Sequence, residues 1–293
     1  MGAKIIRLAR WGMQAELANI WQICFGDSRR ATYYFFNNAF HPANCLVYDI
    51  DGKIAAMVHM LPVQMLAENG TAVQGHYIYA AATLPEYRSQ GCMRILLNAA
   101  AHVGKRRGDK FSCLLPSGDS LYDYYAKHGY REAFYTRFLT LTAAELASVA
   151  EPAPRGSILL GYKRMERLRQ EILSPYAGSI LWDSKAISYA DGINKLYEGT
   201  LVTAAVGESV GYALCRKLDA DTCEVTELMA DPLVFPMLAD KLLRAMPANH
   251  YRLRLPAGGP LFSGQGQVLR FGMVRALEEI QMSGSAYLGL PLD

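Results

Sequence analysis

Two stretches of this chain run through the same succession of elements, and that repetition limits the fold more than any other feature. In the first, "VQGHYIYAAATL" reads as a strand, Pro85 stops it, residues 92 to 107 read as an amphipathic helix, and "KFSCLLP" reads as a short strand. In the second, "TCEVTELMA" leads to Pro232, then to the helical pattern "FPMLADKLLRAM" and the strand "HYRLRL". Each copy ends on a glycine, a bulky apolar residue and a strand start, "HGYREAF" and "FGMVRAL". Pro85 and Gly129 stand 44 positions apart, and Pro232 and Gly272 stand 40 apart. A unit repeated in this way predicts two αβ domains of one kind. The chain has 293 residues, enough for two cores.

The remaining pattern fits that division. Residues 14 to 24 carry Leu17, Ile20, Trp21 and Cys24 at helical spacing, and "TYYFFNNAF" predicts a second helix. "CLVYDIDGKIAAMVHMLPVQML" predicts two strands about an Asp51-Gly52 turn. "SLYDYYAKHGY" predicts a helix closed by a left-handed Gly129, and "TRFLTLT" a strand after it. "ASVAEPAPRGS" then breaks all periodicity with Pro152, Pro154 and Gly156. The expected domains are therefore residues 1–146 and 158–293, joined by a linker at 147–157. The second opens with the helices "YKRMERLRQEIL" and "SKAISYADGINKLY" and the strands "LVTAAV" and "VGYALCRKL".

Composition excludes several classes. The net charge of +3 comes from 30 basic and 27 acidic residues, too balanced for bulk nucleic-acid binding. Six cysteines are scattered without a C-x-x-C pair, as reduced thiols in a cytoplasmic protein are. The histidines do not cluster with them, so no metal site is expected. "MGAKIIRLARWGMQAEL" lacks the apolar region of a signal peptide, and Ile6 stands where a myristoylation signal at Gly2 needs Ser or Thr. No run of 18 apolar residues predicts a membrane span.

The chemistry is concentrated in "LPEYRSQGCMRILL", residues 84 to 97. A helix that starts here presents the unpaired N–H groups of Gly91, Cys92, Met93 and Arg94, with a partial positive charge. Gly91 lets a ligand approach the backbone, and Arg88 and Arg94 add charge suited to phosphate. The pattern predicts a pyrophosphate cradle. Arg88-x-x-Gly91 after a strand and "P-x-Y-R" resembles motif A of the GNAT N-acetyltransferase superfamily, and "YYAKHGY" resembles the element that follows it. Met93 departs from the motif, which prefers Gly or Ala there. The resemblance covers residues 5 to 140 and is nearest to the tandem, Eis-like branch. It implies an α/β (α+β) fold of two tandem GNAT-like domains, each a mixed, mostly antiparallel sheet flanked by helices, the second degenerate.

The resemblance also implies an activity: transfer of an acetyl group from acetyl-CoA directly to a primary amine of a small acceptor. Ser89 and Gln90 join Arg88 and residues 91 to 94 in the implied cofactor site, with Ser117 and Tyr122. The backbone of Ala81, Ala82 and Thr83 pairs with the pantetheine arm. Tyr125, four residues before Gly129, is the implied general acid. Tyr77 and Tyr79 share one strand face and are expected in the acceptor pocket. The general base is His76, a water chain or the terminal carboxylate of Asp293. "KRRGDK" at 105 to 110 is either a 3′-phosphate contact or a solvated helix end. "MADPLVFPML" has no Arg-x-x-Gly and puts Pro232 and Pro236 in the turn, so the second domain is expected to bind no CoA and to complete the acceptor site. Two other readings stand beside this one: an aminoacyl-tRNA-dependent transferase of similar fold, and a non-catalytic regulatory protein that binds CoA.

Overall fold

The structure, a computed structural model, describes residues 3–153 and 160–290. Gly2, the linker residues Pro154 and Gly156, and Asp293 lie outside the described residues. In chain order the elements are β1 (Lys4–Leu8), α1 (Gln14–Phe25), α2 (Arg29–Asn38), β2 (Cys45–Ile50), β3 (Lys53–Leu66), β4 (Ala72–Thr83), α3 (Cys92–Arg107), β5 (Phe111–Leu114), α4 (Asp119–Ala126) and β6 (Arg131–Glu132). Next come β7 (Tyr135–Thr142), α5 (Ala143–Ser148), α6 (Tyr162–Leu173), β8 (Ile180–Leu181), α7 (Ser184–Leu196), β9 (Thr200–Val206) and β10 (Ser209–Lys217). The last are β11 (Thr222–Ala230), α8 (Phe235–Ala245), β12 (His250–Pro256), β13 (Gln267–Arg270) and β14 (Met273–Ala276).

The chain forms two compact units. Unit 1 holds residues 1–64, 73–132 and 272–280, and unit 2 holds 65–72, 133–271 and 281–293. The unit 1 sheet runs β1-β2-β3-β4-β5-β14-β6. Its β2–β3 hairpin closes at Asp51 and Gly52, with φ 54 and 83, the paired left-handed residues of a two-residue turn. Asp49 Oδ1 accepts the Gly52 N–H at 2.8 Å and holds that turn. Ser28 starts α2 by accepting the Ala31 N–H at 3.1 Å. Helix α3 buries Leu96, Leu97 and Ala100 against Val58 and Met60 of β3 and Ile78 of β4. Each such leucine contributes about 1.5–3 kcal/mol.

The unit 2 sheet runs β13-β7-β12-β11-β10-β9. Its core joins Leu238 and Leu242 of α8 to Val225, Leu253 and Leu139. The repeat is real: β4 and β5 are parallel with α3 between them, and β11 and β12 are parallel with α8 between them. The boundary differs from the expected one. Strand β7, the "TRFLTLT" strand expected to end the first half, pairs with β12 and β13 in unit 2. Strand β14, from the end of the second half, pairs with β5 and β6 in unit 1. The division therefore falls at 132/133 with a return at 272–280, not at 147–157. Burial decides it: Leu139 and Leu141 enter the core with α8, and Met273 enters the core with α3.

One buried polar side chain of unit 1 stands among aromatic rings. His59 is 1% exposed, with its ring 4.8 Å from Phe35 and 6.0 Å from Trp21, Phe36 and Phe40. Neither ring nitrogen makes a well-aligned hydrogen bond among the described residues, and the nearby Tyr79 backbone offsets only part of the burial. Burial pushes the imidazole down from 6.5 to about 3. Between those values the unfolded chain holds a proton that the folded chain lacks, so stability falls as pH drops from 6.5 towards 3 and is untouched above 6.5. His59→Phe is expected to raise stability, with a gain about 3 kcal/mol larger at pH 4 than at pH 7. Urea unfolding at the two pH values measures this, and an equal gain at both would contradict the burial argument.

Candidate active site

The site begins where β4 leaves β5. Parallel pairing covers Gly75 to Tyr77 against Phe111 to Cys113 and stops there. Strand β4 runs on to Thr83 while β5 ends at Leu114, so the strands part and β4 keeps an edge free of β5. At the parting, Ala80 has φ 46, an unusual conformation for a residue with a Cβ. The chain then passes through a single turn at Pro85–Tyr87 into Ser89 and Gly91, both left-handed at φ 61 and 78.

Among the described residues, the backbone N–H groups of Ser89 to Arg94 have no protein acceptor. The first occupied amide is that of Ile95, which donates to Gly91 O at 3.1 Å. Successive free amides around left-handed residues form a nest for an anion. This nest opens a helix of 16 residues, whose positive end adds to it. The Arg94 guanidinium lies 3.6 Å from where a Cβ on Gly91 would stand, so it borders the same space.

Other cradle residues brace rather than face outward. Arg88 Nε donates to Thr83 O at 3.2 Å, and Cys24 Sγ donates to the same oxygen at 3.3 Å. The Thr83 carbonyl is thus taken, which leaves Ala81 and Ala82 as the backbone groups of the parted edge. Gln90 Nε2 donates to Glu86 O at 2.9 Å. The Cys92 thiol is buried and turned to Tyr87 O at 3.5 Å.

Helix α4 brings the tyrosine. Tyr125 packs against Tyr124 at 5.4 Å and Tyr130 at 5.8 Å between ring centroids. Burial, and then the neighbouring Tyr124, push its phenol up to about 12. Arg94 offsets part of the burial effect at Tyr124. At His128, burial lowers the imidazole and Arg94, Arg275 and Lys127 lower it further. Cradle and tyrosine helix therefore gather about Arg94, and Ala81, Met93, Tyr124 and Tyr125 pack on one core. Gly129 is left-handed as expected, although α4 itself stops at Ala126. Ser117 is exposed between β5 and α4.

Three expected site residues are elsewhere. His76 is buried under the far end of α3, with Nδ1 2.7 Å from Asp109 Oδ2. A Cβ on Gly104 would stand 2.6 Å from its ring, so a glycine is what lets the helix close over it. Thirteen residues of helix from Gly91 to Gly104 span about 20 Å, which removes His76 as the base. Tyr122 is buried, and its hydroxyl accepts the Gly272 N–H at 3.2 Å, which makes it a core residue instead of a cofactor contact. Tyr77 is buried, and only Tyr79 of that pair is partly exposed, 5.4 Å from both Trp21 and Phe35. The basic run is a helix end: Arg107 donates to Asn44 Oδ1 at 3.2 Å and to Ala43 O, about 24 Å along α3 from the cradle. His128 was legible as an ionisable residue three places after Tyr125, one turn on.

The matching turn of unit 2 is closed. Asp231 Oδ1 accepts the Leu233 N–H at 2.8 Å, and Asp231 O accepts those of Val234 and Phe235 at 2.9 and 3.1 Å. Pro236 has no N–H to offer.

Residues 6–133 match the family model described as an acetyltransferase (GNAT) domain. No curated protein matches the chain. Solved structures match over nearly all of it. A probable N-acyltransferase from Enterococcus faecalis has 16% identity and a TM-score of 0.71, over 95% of this chain and 73% of that one. A GCN5-related N-acetyltransferase from Anabaena variabilis has 17% identity and a TM-score of 0.75, over 94% and 73%. Eis1 from Mycobacterium abscessus has 12% identity and a TM-score of 0.67, over 93% and 74%. At these identities the likeness is one of fold, and it extends over both units.

Proposed function

From the match of residues 6–133 to the acetyltransferase (GNAT) domain model, we propose that the protein is an acetyl-CoA-dependent N-acetyltransferase acting on a primary amine of a small molecule. The observation that carries this reading is the row of unoccupied amides from Ser89 to Arg94, set beside a strand edge that β5 has left. Nothing but hydrogen stands on Gly91, so a pyrophosphate can reach the nest, and Arg94 supplies the countercharge.

Acetyl-CoA supplies an acyl carbon that an amine can attack. The free edge of β4 at Ala81 and Ala82 aligns the pantetheine arm as an added strand would be aligned. A backbone N–H there polarises the carbonyl oxygen as charge develops on it. Tyr125 keeps its proton at neutral pH and offers it to the departing sulfur. Tyr79 borders the acceptor side. With His76 removed, the base in this reading is a water chain or the terminal carboxylate of Asp293, which lies outside the described residues. The reaction is placed in the cytoplasm, in line with six free cysteines. Among the described residues no helix is long and apolar enough to cross a membrane.

The test is acetyl-CoA titration by calorimetry, followed by thiol release with a panel of primary amines. Binding at one acetyl-CoA per chain is expected, because the unit 2 turn has its amides occupied. Two per chain would show that Asp231 yields its place. No binding would remove the proposal.

A further inference from the structure

We infer that unit 2 carries an anion site of its own, built by Arg252, Arg254 and Thr136 on the sheet face turned away from α8. The strand register sets this face. Leu253 and Leu255 of β12 and Leu139 and Leu141 of β7 point into the core with α8. Alternation puts Arg252 and Arg254 of β12 on the opposite face, with Thr136 and Phe138 of β7. Arg254 is registered with Phe138, and Thr136 with the adjacent Pro256.

The charges on this face do not balance. Glu224 Oε1 accepts from Arg254 Nε at 3.2 Å and Nη2 at 2.9 Å, and Oε2 accepts from Arg216 at 3.4 Å. Arg252 is registered beside Glu224, yet it makes no ion pair among the described residues. Arg216 and Arg254 thus share one carboxylate, and Arg252 beside them has none among the described residues. Arg252 and Arg254 stand two residues apart on one strand, about 7 Å, and repel each other. Arg254 is 9% exposed and its Nη1 is buried without a partner; Thr136 is 0% exposed and its Oγ1 is also without one. Leaving a buried charged donor unmade is costly.

An oxyanion beside Arg252, Arg254 Nη1 and the Thr136 hydroxyl satisfies all three. The aromatic rings set the geometry. Arg252 lies over Phe138 at 4.9 Å and Arg254 over Phe271 at 5.3 Å, with the two rings 5.8 Å apart in an edge-to-face pair. With Arg254 Nε and Nη2 on Glu224, Nη1 and the Arg252 guanidinium are the donors left for a planar or tetrahedral oxyanion. The ligand class is a small carboxylate or phosphate. The site is independent of the acetyl-CoA reading, since no residue of the cradle takes part.

The test uses the full chain carrying Gly91→Glu, so that the cradle cannot take the anion. Inorganic phosphate and acetate are titrated in separate calorimetric arms. Saturable binding of one of them at one site per chain is expected, and the arm that binds identifies the chemistry. Arg252→Gln, which leaves the Glu224 pairs in place, is expected to weaken binding about tenfold. Arg254→Lys, which keeps a charge beside Glu224 but lacks Nη1, is expected to do the same. If neither anion binds saturably, or if both variants bind as tightly as their parent, the inference is overturned and a water bridges the two orphaned atoms.

Discussion

Gly91→Glu is expected to abolish acetyl-CoA binding, with Kd raised at least about a hundredfold, or roughly 2.7 kcal/mol, while the chain stays folded. Three effects add. The left-handed backbone at φ 78 strains any residue with a Cβ, at about 1–2 kcal/mol. The new carboxylate sits at the positive end of α3, where it answers the free amides itself. It also stands within reach of Arg94, whose guanidinium is 3.6 Å from the position of the added Cβ. The variant thus carries its own anion in the nest and repels the pyrophosphate. The same contacts offset the strain, which is why folding survives. Gly91→Ala separates the effects, because it has the strain without the charge. It is expected to lose about 1 kcal/mol of stability and to keep most of its affinity. Wild-type affinity in Gly91→Glu would mean that the nest is not where acetyl-CoA binds.

Tyr125→Phe is expected to lower kcat by about 10²–10⁴ and to leave the acetyl-CoA Kd within about twofold. With a phenol near 12 and an ordinary thiol near 8.5, complete proton transfer to sulfur is uphill by about 5 kcal/mol. The same dry surroundings raise the thiol as well, which narrows the gap. Tyr125 therefore serves best as a hydrogen-bond donor that strengthens as charge gathers on sulfur. The pH profile follows: kcat rises as the acceptor amine loses its proton and then holds level to pH 10, because a phenol near 12 does not ionise below that. A falling limb near pH 10 in wild type, absent in Tyr125→Phe, would show that the phenol is not so buried. Unchanged kcat in the variant would remove Tyr125 from the chemistry. Tight acetyl-CoA binding with no turnover of any amine would favour the regulatory reading.

The turn that opens α3 was legible because its determinants are local. A strand, a proline, Arg88-x-x-Gly91 and an apolar helix face occupy consecutive residues, and a helix start leaves its amides free whatever surrounds it. The structure adds what spacing does not carry: Ser89 and Gly91 both left-handed, and Ala80 strained where β4 parts from β5. The Arg88 side chain illustrates the limit. Its type suited phosphate, but its Nε is spent on the Thr83 carbonyl. His76 and Tyr122 misled for the same reason, since burial and a hydrogen-bond partner from elsewhere in unit 1 decide their use.

Local signals carried most of the longer helices and strands, the repeated strand–helix–strand unit, the hairpin at Asp51-Gly52 and the proline-bearing turn after Asp231; the short β1, α5, β8 and β13 were not among them. The legible features follow from periodicity, glycine conformations and prolines, all of which act over a few residues. Long-range packing sets the rest: β7 and β14 each join the other unit's sheet, Arg216 and Arg254 share Glu224, and Tyr125 is dry enough to hold its proton. Those outcomes depend on which apolar face finds which core, and on how much water is left beside a charged or phenolic group. Neither quantity is written in the spacing of residues along the chain.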